Sequence, residues 1–350
     1  MEIKHISEIL DNSIINLFGL MPNGQLVDDF ELINKNGMKL KVITFGATIT
    51  ALEIPLQNGK KIDVVLGFDH LEDYLNSFYL QSAPYFGATI GRFAGRIKNG
   101  TFNLNGKTFI LNKNNNNHSL HGGNIGFSKK NWKVKHINRD KNPSIALTYL
   151  SSDGEENFPG NLNIELKYTL SEQNELIVEY QAKSDQDTII NLTHHSYFNL
   201  DGHQGDITEQ ELFVNSQKML ETNLENIPTG RFNNVANCPF DFSTPKKCPQ
   251  KIDNTYILDK KTELSASLYS KKNNLKMEVY TNQPAVHLYV GGNCFNEIKG
   301  KEGADYHSLS GICFETQNFP DAPNHNHFPS SILKENETYY HKTIYKFEIY

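Results

Sequence analysis

One ionisable side chain interrupts an apolar segment near the carboxyl end of the sequence. Residues 311–320 read GICFETQNFP, and Glu315 is the only carboxylate among them. Glutamate is depleted in strands, and burial between Phe314 and Phe319 would raise the pKa of its carboxyl group. Such a group is suited to accept a proton near neutral pH. The alternative is a glutamate on the solvated face of a strand.

A second candidate lies in a segment with two adjacent histidines, residues 189–200, which read IINLTHHSYFNL. Side chains alternate between the two faces of a regular strand. His194 then shares a face with leucine and phenylalanine, whereas His195 shares the other with asparagine, threonine and tyrosine. A cleft for a ligand such as a sugar requires such a polar row, because each buried hydroxyl needs a partner. We therefore predict that His195 faces a ligand and His194 the core, and a bulge would exchange them.

Two glycine-containing segments and a histidine pair offer further candidates. Residues 91–97 read GRFAGRI, where flexible backbone lets a guanidinium approach paired hydroxyls; a surface salt bridge is the alternative. Residues 119–123 read SLHGG and place His121 at a glycine turn, facing a ligand or serving the structure. His325 and His327 have no third ligand at a recognisable spacing, so we predict no metal site.

Alternation of apolar and polar residues with a period of two dominates the chain and predicts the strands that must position these groups. The clearest hairpin has apolar positions at Ile164, Leu166, Tyr168 and Leu170 and then at Leu176, Val178 and Tyr180. Asn105-Gly106 predicts a tight turn, because both residues tolerate positive φ. Only residues 66–80 suit a short helix. The sequence therefore predicts an all-β fold, a large antiparallel β-sandwich with little helix.

Composition limits the classes of protein and partner. The 350 residues include 38% hydrophobic and 21% charged residues, typical of a globular chain, and no linker or repeat divides residues 1–350, so we expect a single domain. The asparagine run 114–117 predicts a polar loop. A net charge of -6 with scattered lysine pairs argues against nucleic acid as a partner.

No apolar stretch suggests a membrane span or a secretory signal. The four cysteines form no CxxC pair, which argues against a disulfide framework or a zinc knuckle and favours a cytoplasmic protein.

Taken together, the candidate segments resemble those of the aldose 1-epimerase (galactose mutarotase) family. The resemblance covers nearly the whole chain and keeps the family's order. The segments that carry it are ITFGATITALEIP (43–55), DVVLGFDHLEDY (63–74), FGATIGRFAGRI (86–97), SLHGG (119–123), DGEENFPG (153–160), NLTHHSYFNL (191–200), YTNQPAV (280–286) and FETQNFPDAPN (314–324).

This resemblance implies a supersandwich fold, an open sugar cleft and interconversion of the α and β anomers of free hexoses such as galactose and glucose, without cofactor or metal. It implies Glu315 as the catalytic base and His195 as the catalytic acid. The implied substrate-binding residues are Arg96, His121, Ser196, Tyr197, Asp253 and Gln283. A monosaccharide is the expected partner, and we expect a monomer or a homodimer. Two departures from the family are Gly95, where asparagine is frequent, and a short loop ahead of Asp253.

Three other functions account for parts of this pattern. An enzyme for phosphorylated hexoses would need extra cations in the cleft, for which Arg92 and Lys129 are candidates. A sugar-binding module would keep the pocket but lose Glu315 or His195. A glycoside hydrolase needs two carboxylates flanking the scissile bond, and only Glu315 with Asp253 could supply them.

Overall fold

The computed structural model describes residues 16–258 and 264–350, and antiparallel strand pairs dominate both ranges. The strands are β1 (Asn16–Leu20), β2 (Leu26–Ile33), β3 (Lys39–Ile43), β4 (Thr48–Pro55), β5 (Lys61–Asp63), β6 (Thr89–Ile90), β7 (Arg96–Ile97), β8 (Thr101–Leu104), β9 (Lys107–Ile110), β10 (Ser119–Leu120), β11 (Lys133–Asn138), β12 (Ser144–Ser151), β13 (Leu162–Leu170), β14 (Glu175–Ser184), β15 (Thr188–Ile189), β16 (Thr193–His194), β17 (Tyr197–Phe198), β18 (Glu211–Val214), β19 (Lys218–Thr222), β20 (Pro228–Asn234), β21 (Lys246–Lys247), β22 (Ile252–Ile257), β23 (Ala266–Ser270), β24 (Leu275–Thr281), β25 (Ala285–Val290), β26 (Ile312–Gln317), β27 (Ile332–Leu333) and β28 (Tyr339–Ile349). In these two ranges the only α-helix is α1 (Leu71–Ser77). Short 3₁₀ helices cover Lys98–Gly100, Phe127–Lys129, Glu155–Asn157, Lys301–Gly303 and Ala322–Asn324. The predicted all-β fold with little helix is confirmed.

Three large sheets contain most of the strands. Their strand orders are β1-β2-β3-β4-β5, β11-β12-β13-β14-β28-β24-β23-β18-β21 and β17-β26-β25-β22-β19-β20. The predicted hairpin is formed by β13 and β14, which pair antiparallel from Leu162 opposite Ser184 to Leu170 opposite Leu176.

Two further local predictions are confirmed. Asn105 and Gly106 have φ angles of 51° and 76° and join β8 to β9 in an antiparallel pair, as a two-residue hairpin turn requires. The helix α1 lies within residues 66–80, where the sequence predicts one. None of the helices in the described ranges has the length and apolar character that a bilayer crossing needs.

The largest hydrophobic cluster joins the sheets face to face. It contains Leu40 of the five-stranded sheet, Leu166 of the nine-stranded sheet and Leu288 of the six-stranded sheet, all fully buried. Burial of each such side chain contributes about 1.5–3 kcal/mol. This shared core is what a β-sandwich requires.

The six-stranded sheet has one apolar and one polar face. Val286, Leu288 and Phe314 are buried in the core cluster. Because successive side chains in a strand point to opposite faces, His287 and Glu315 point away from that core. The polar face of this sheet therefore positions the candidate site.

Candidate active site

An open cleft with a volume of about 470 Å³ lies over the polar face of the six-stranded sheet. Alternate residues of β22, β25 and β26 form its floor. These residues are Asp253, Thr255, His287, Tyr289, Glu315 and Gln317. Thr255, His287 and Glu315 lie directly opposite one another across the three strands. The floor is therefore a polar array suited to a ligand with several hydroxyl groups.

Loops and short strands form the walls of the cleft. The polar and aromatic residues that they contribute include Tyr85, Arg96, Asn114, Asn115, His121, Asn124, Lys129, His195, Tyr197 and Asn226. The cleft therefore brings together Glu315, His195, Arg96, His121, Tyr197 and Asp253 from the predicted site.

Glu315 and His195 are the closest acid and base candidates. The Nε2 atom of His195 lies 3.5 Å from Oε1 of Glu315, and both side chains are at least 96% buried. The backbone of His195 is fixed because its N–H donates to Ala88 and its carbonyl accepts from Gly87. Its ring also contacts Tyr85 and Tyr197. The imidazole is thus held at the carboxylate by both backbone and ring contacts.

The segment that carries the two histidines differs locally from its prediction. Residues 189–200 do not form one regular strand: β15, β16 and β17 are separate two-residue strands. One cause lies at Asn191, whose side-chain amide donates to the carbonyls of Ala94 and Asn318 and ties this stretch to two loops.

The two histidines nevertheless point as strand parity predicts. His194 is buried, packs on Tyr168 and donates from Nε2 to the carbonyl of Gly87 at 3.0 Å. His195, by contrast, lines the cleft. Burial lowers the pKa of His194 to about 3, which makes it a neutral structural residue.

The pKa values of both histidines of the cleft wall are lowered, but Glu315 opposes the shift only at His195. Burial lowers the pKa of His195, whereas the charge of Glu315 acts in the opposite direction. Burial also lowers the pKa of His121, and the positive charges of His195 and Arg96 add to this effect. The N–H of Gly95 donates to Nδ1 of His121 at 3.3 Å, so the proton of neutral His121 lies on Nε2. His121 is therefore a hydrogen-bond donor for a ligand oxygen.

The predicted asparagine loop supports two wall residues. Arg96 donates from Nε to Oδ1 of Asn115 at 3.0 Å. The side chain of Asn114 accepts from the Leu120 N–H and donates to the carbonyls of Leu120 and Gly123. This polar tract therefore orients Arg96 and the loop that carries His121.

Gly95 stands at the edge of the cleft with a φ of +78°, a conformation that glycine adopts without strain. A Cβ atom at this position would lie 3.0 Å from the ring of Pro320. Any side chain here would therefore press on Pro320, and glycine leaves that edge open.

Asp253 and His287 form a second charged pair on the floor. Nε2 of His287 lies 3.1 Å from Oδ1 of Asp253, and Asn226 donates to Oδ2 at 2.8 Å. Burial raises the pKa of Asp253, but the hydrogen bond and charge of His287 outweigh it and the net pKa is lowered. The sequence prediction did not include His287. The alternation of polar His287 with apolar Val286 and Leu288 was the signal that could have placed it on the polar face of a strand.

The structure does not bring Gln283 or Ser196 to the cleft lining. Gln283 precedes β25 and donates to its neighbour Asn282. It lies four residues from His287, which is about 13 Å along an extended chain. Ser196 is buried between the two cleft residues His195 and Tyr197, facing the other way. We therefore leave Gln283 and Ser196 out of the proposed binding site.

The two candidate phosphate-binding cations have different positions. Arg92 is buried and donates to the carbonyls of Pro159, Gly160 and Ser151, so it anchors a loop. Lys129 lines the cleft, and burial lowers its pKa.

One group of described residues could hold a metal ion. The candidate ligand atoms of His121, His195 and Glu315 all lie within 4.8 Å of one another, and two imidazoles with a carboxylate are a donor set that zinc accepts. His325 instead lies 3.2 Å from Asp321, outside the cleft lining.

Comparison with known proteins identifies the family. The family model described as Aldose 1-epimerase matches residues 28–346. The galactose mutarotase of Bos taurus is 40% identical over 346 residues, which is 95% of this chain and 98% of that protein. The galactose mutarotase of Homo sapiens is 39% identical over 345 residues, with the same coverage.

A solved structure agrees. The GalM/aldose epimerase homologue from C. elegans superposes with a TM-score of 0.85 at 30% identity, covering 92% of this chain and 99% of that one. Three findings agree: the family model matches most of the chain, the two relatives are similar over almost their whole length, and the fold is shared. The chain therefore belongs to the aldose 1-epimerase family.

Proposed function

We propose that this protein is an aldose 1-epimerase that interconverts the α and β anomers of free hexoses, galactose and glucose among them, with Glu315 as general base and His195 as general acid. Galactose is included because the curated relatives are galactose mutarotases. The observation that carries the acid and base assignment is the 3.5 Å separation of His195 and Glu315 in an open polar cleft.

The reaction needs two proton transfers at neighbouring oxygens. Glu315 removes the proton of the C1 hydroxyl while His195 protonates the ring oxygen, so the bond between C1 and the ring oxygen breaks and leaves the open aldehyde. Rotation about the C1–C2 bond then presents the other carbonyl face, and the same groups return the protons in reverse. Both oxygens are bonded to C1, so the acid and the base must lie close together, as His195 and Glu315 do.

The electrostatics of the pair support this division of roles. Burial lowers the pKa of His195, which makes its imidazolium a stronger acid toward the ring oxygen. The reaction needs Glu315 without a proton and His195 with one. We therefore expect a bell-shaped dependence of the rate on pH.

The remaining polar groups of the cleft would hold the sugar through ring opening. Arg96, His121 and Asp253 offer a guanidinium, a ring N–H and a carboxylate to the other hydroxyls. Binding of these hydroxyls keeps the open aldehyde in place, so that it recloses before it escapes.

The rival functions have less support. An enzyme for sugar phosphates would need several cations in the cleft to bind the phosphate. Lys129 lines the cleft, but Arg92 does not, because it donates to backbone carbonyls elsewhere. A hydrolase would need Asp253 as the second carboxylate, and its two oxygens already contact His287 and Asn226.

Polarimetry of freshly dissolved α-galactose and α-glucose tests the proposal. We expect the wild-type protein to accelerate the optical decay and Glu315→Gln to lose at least about 10²-fold of that rate, the contribution of one positioned acid or base. Glu297→Gln makes the same chemical change at an exposed residue outside the cleft and should keep the wild-type rate. A Glu315→Gln variant with near-normal activity would remove Glu315 from the mechanism.

The corresponding 6-phosphates separate the first rival. Faster mutarotation of a hexose 6-phosphate than of the free hexose would contradict the substrate class proposed.

A further inference from the structure

His287 occupies a central position on the cleft floor that the acid and base mechanism does not use. It lies on β25 directly opposite Glu315 of β26, and opposite Thr255 of β22 on its other side. Side chains that are directly opposite in an antiparallel pair share a face, with Cβ atoms about 4.5–5.5 Å apart. The ring of His287 is therefore beside the candidate base.

Both ring nitrogens of His287 have partners in the cleft. Nε2 lies 3.1 Å from Oδ1 of Asp253, and Nδ1 lies 2.8 Å from Oγ1 of Thr255. The side chains of His287 and Asp253 are 16% and 25% exposed, so water screens the pair only in part. The ring is held between two strands and cannot turn away without breaking both contacts.

Carboxylates flank His287 on both sides, and one arginine and two histidines line the same cleft. The charged and titratable groups that act on it or are acted on by it are Asp253, Glu315, Arg96, His195 and His121. Burial lowers the pKa of His287, but the hydrogen bond and charge of Asp253 and the charge of Glu315 outweigh burial and the opposing Arg96, so the net pKa is raised.

We propose that His287 is a positioning residue of this site: Asp253 and Thr255 lock its imidazolium beside Glu315, where it attracts the carboxylate and sharpens the acidity of His195. This inference rests on the proposed function. One cation thereby acts on both members of the pair. It attracts the negative charge of Glu315, and it repels a proton on His195, whose pKa it lowers.

The charge of His287 predicts an effect that depends on pH. A raised pKa means that the imidazolium persists to higher pH than in an ordinary histidine and is lost as pH rises through that pKa. Removing the charge should therefore lower the rate most at low pH, and the rates of wild type and variant should converge at high pH. A purely structural contribution of His287 would give a rate ratio that does not vary with pH.

Rate profiles of His287→Gln against wild type test this between about pH 5.5 and 9. Glutamine keeps an amide at the site but carries no charge. We expect kcat/KM to fall about ten- to a hundredfold at the acidic end, the range for a unit charge a few ångströms away in a partly solvated site, and the ratio to shrink toward one at the alkaline end. His341→Gln is the matched control, since burial lowers the pKa of His341 to about 3 and it is uncharged throughout.

A second readout does not depend on activity. NMR titration of labelled imidazoles, with the His287 signal assigned by its loss in His287→Gln, should give a pKa above the ordinary histidine value, and Asp253→Asn should lower it. A pH-independent rate ratio, or a His287 that is already neutral at pH values where free histidine is charged, overturns this inference while the mutarotase assignment stands. A wild-type protein that accelerates the mutarotation of no hexose overturns the proposed function instead, regardless of the pKa of His287.

Discussion

Two largely buried carboxylates of this protein, Asp63 and Glu315, each lie within 3.5 Å of a histidine and have different uses. Asp63 accepts hydrogen bonds from the N–H groups of Leu52 and Val65 and from Lys301 at 2.6 Å. The side chain of Glu315 is more deeply buried, 3% exposed against 14% for Asp63. Yet within residues 16–258 and 264–350 no group donates a hydrogen bond to its carboxylate, and Nε2 of His195 lies 3.5 Å away. A structural carboxylate uses its lone pairs within the protein, whereas the candidate catalytic one keeps them for a substrate.

The hydrogen bonds around Asp63 extend into a closed network. Nζ of Lys301 also donates to the carbonyl of Thr50, and His203 lies 3.4 Å from Asp63 and bonds Tyr306 through Nδ1. Each charged group in this network has fixed partners. The cleft has the same residue types but opens onto a cavity, so the comparison predicts loss of rate from one cluster and loss of stability from the other.

The largest effect is expected from the acid of the cleft pair. His195→Asn should reduce the mutarotation rate by about 10²- to 10⁴-fold, the contribution of a positioned general acid, with little change in the free energy of unfolding. Polarimetry and chemical denaturation of the same samples measure the two quantities.

The neighbouring histidine supplies the matched control. His194→Asn makes the same change on the core side of the segment, where the lost contacts are with Gly87 and Tyr168. It should reduce stability more than it reduces the rate per folded molecule. Equal rate losses in the two variants would break the distinction between the cleft side and the core side.

The second effect concerns the structural network. Lys301→Met leaves Asp63 buried without its main cation, and loss of one partner of a buried pair typically costs about 3–5 kcal/mol. The rate per folded molecule should stay close to wild type, because Lys301 does not line the cleft. Denaturant unfolding followed by fluorescence measures the loss.

Lys299→Met is the control for this experiment. Lys299 pairs with Asp305 at the surface, where both side chains are 57% exposed, and such pairs contribute about 0–1 kcal/mol. If both lysine variants lost the same stability, burial of the Asp63 network would not be what makes it structural.

Local sequence pattern predicted the fold, singled out Glu315 and separated His195 from His194, whereas the substrate-binding roles of residues such as Arg96 and Asp253 came from the family resemblance. Period-two alternation is a property of a strand itself, so β13, β14 and the sides taken by His194 and His195 could be predicted without knowing the strand partners. The all-β class follows from the same signal. Glu315 stood out because a lone carboxylate in an apolar strand needs an explanation.

Cross-strand register could not be predicted in the same way. Gln283 and His287 have the same parity, so alternation cannot decide which of them reaches the cleft. Only the pairing of β25 with β26, which puts His287 opposite Glu315, makes that choice. The partner of Asp63 is likewise 238 residues away in sequence, and no local pattern indicates it.

The smallest expected effect is the pH dependence of the stability that Asp63 contributes. Burial alone would raise the pKa of Asp63, but the charges and hydrogen bonds of Lys301 and His203 outweigh burial and lower it well below the usual range. A lowered pKa stabilises the folded protein above the unfolded-state pKa of about 3.9, and this contribution is lost as pH falls from there toward the folded-state pKa. One such group changes the stability by at most about 1.4 kcal/mol per pH unit in that window.

Asp63→Asn removes this titration. Its unfolding free energy should lie below that of wild type at neutral pH, and the difference should narrow as pH falls below about 4, because only the wild-type protein loses a charged Asp63 there. Urea unfolding at a series of pH values measures the gap. A gap that stays constant down to the lowest pH at which both proteins fold would mean that Asp63 does not depend on its charge, and the contrast with Glu315 would then have to rest on geometry alone.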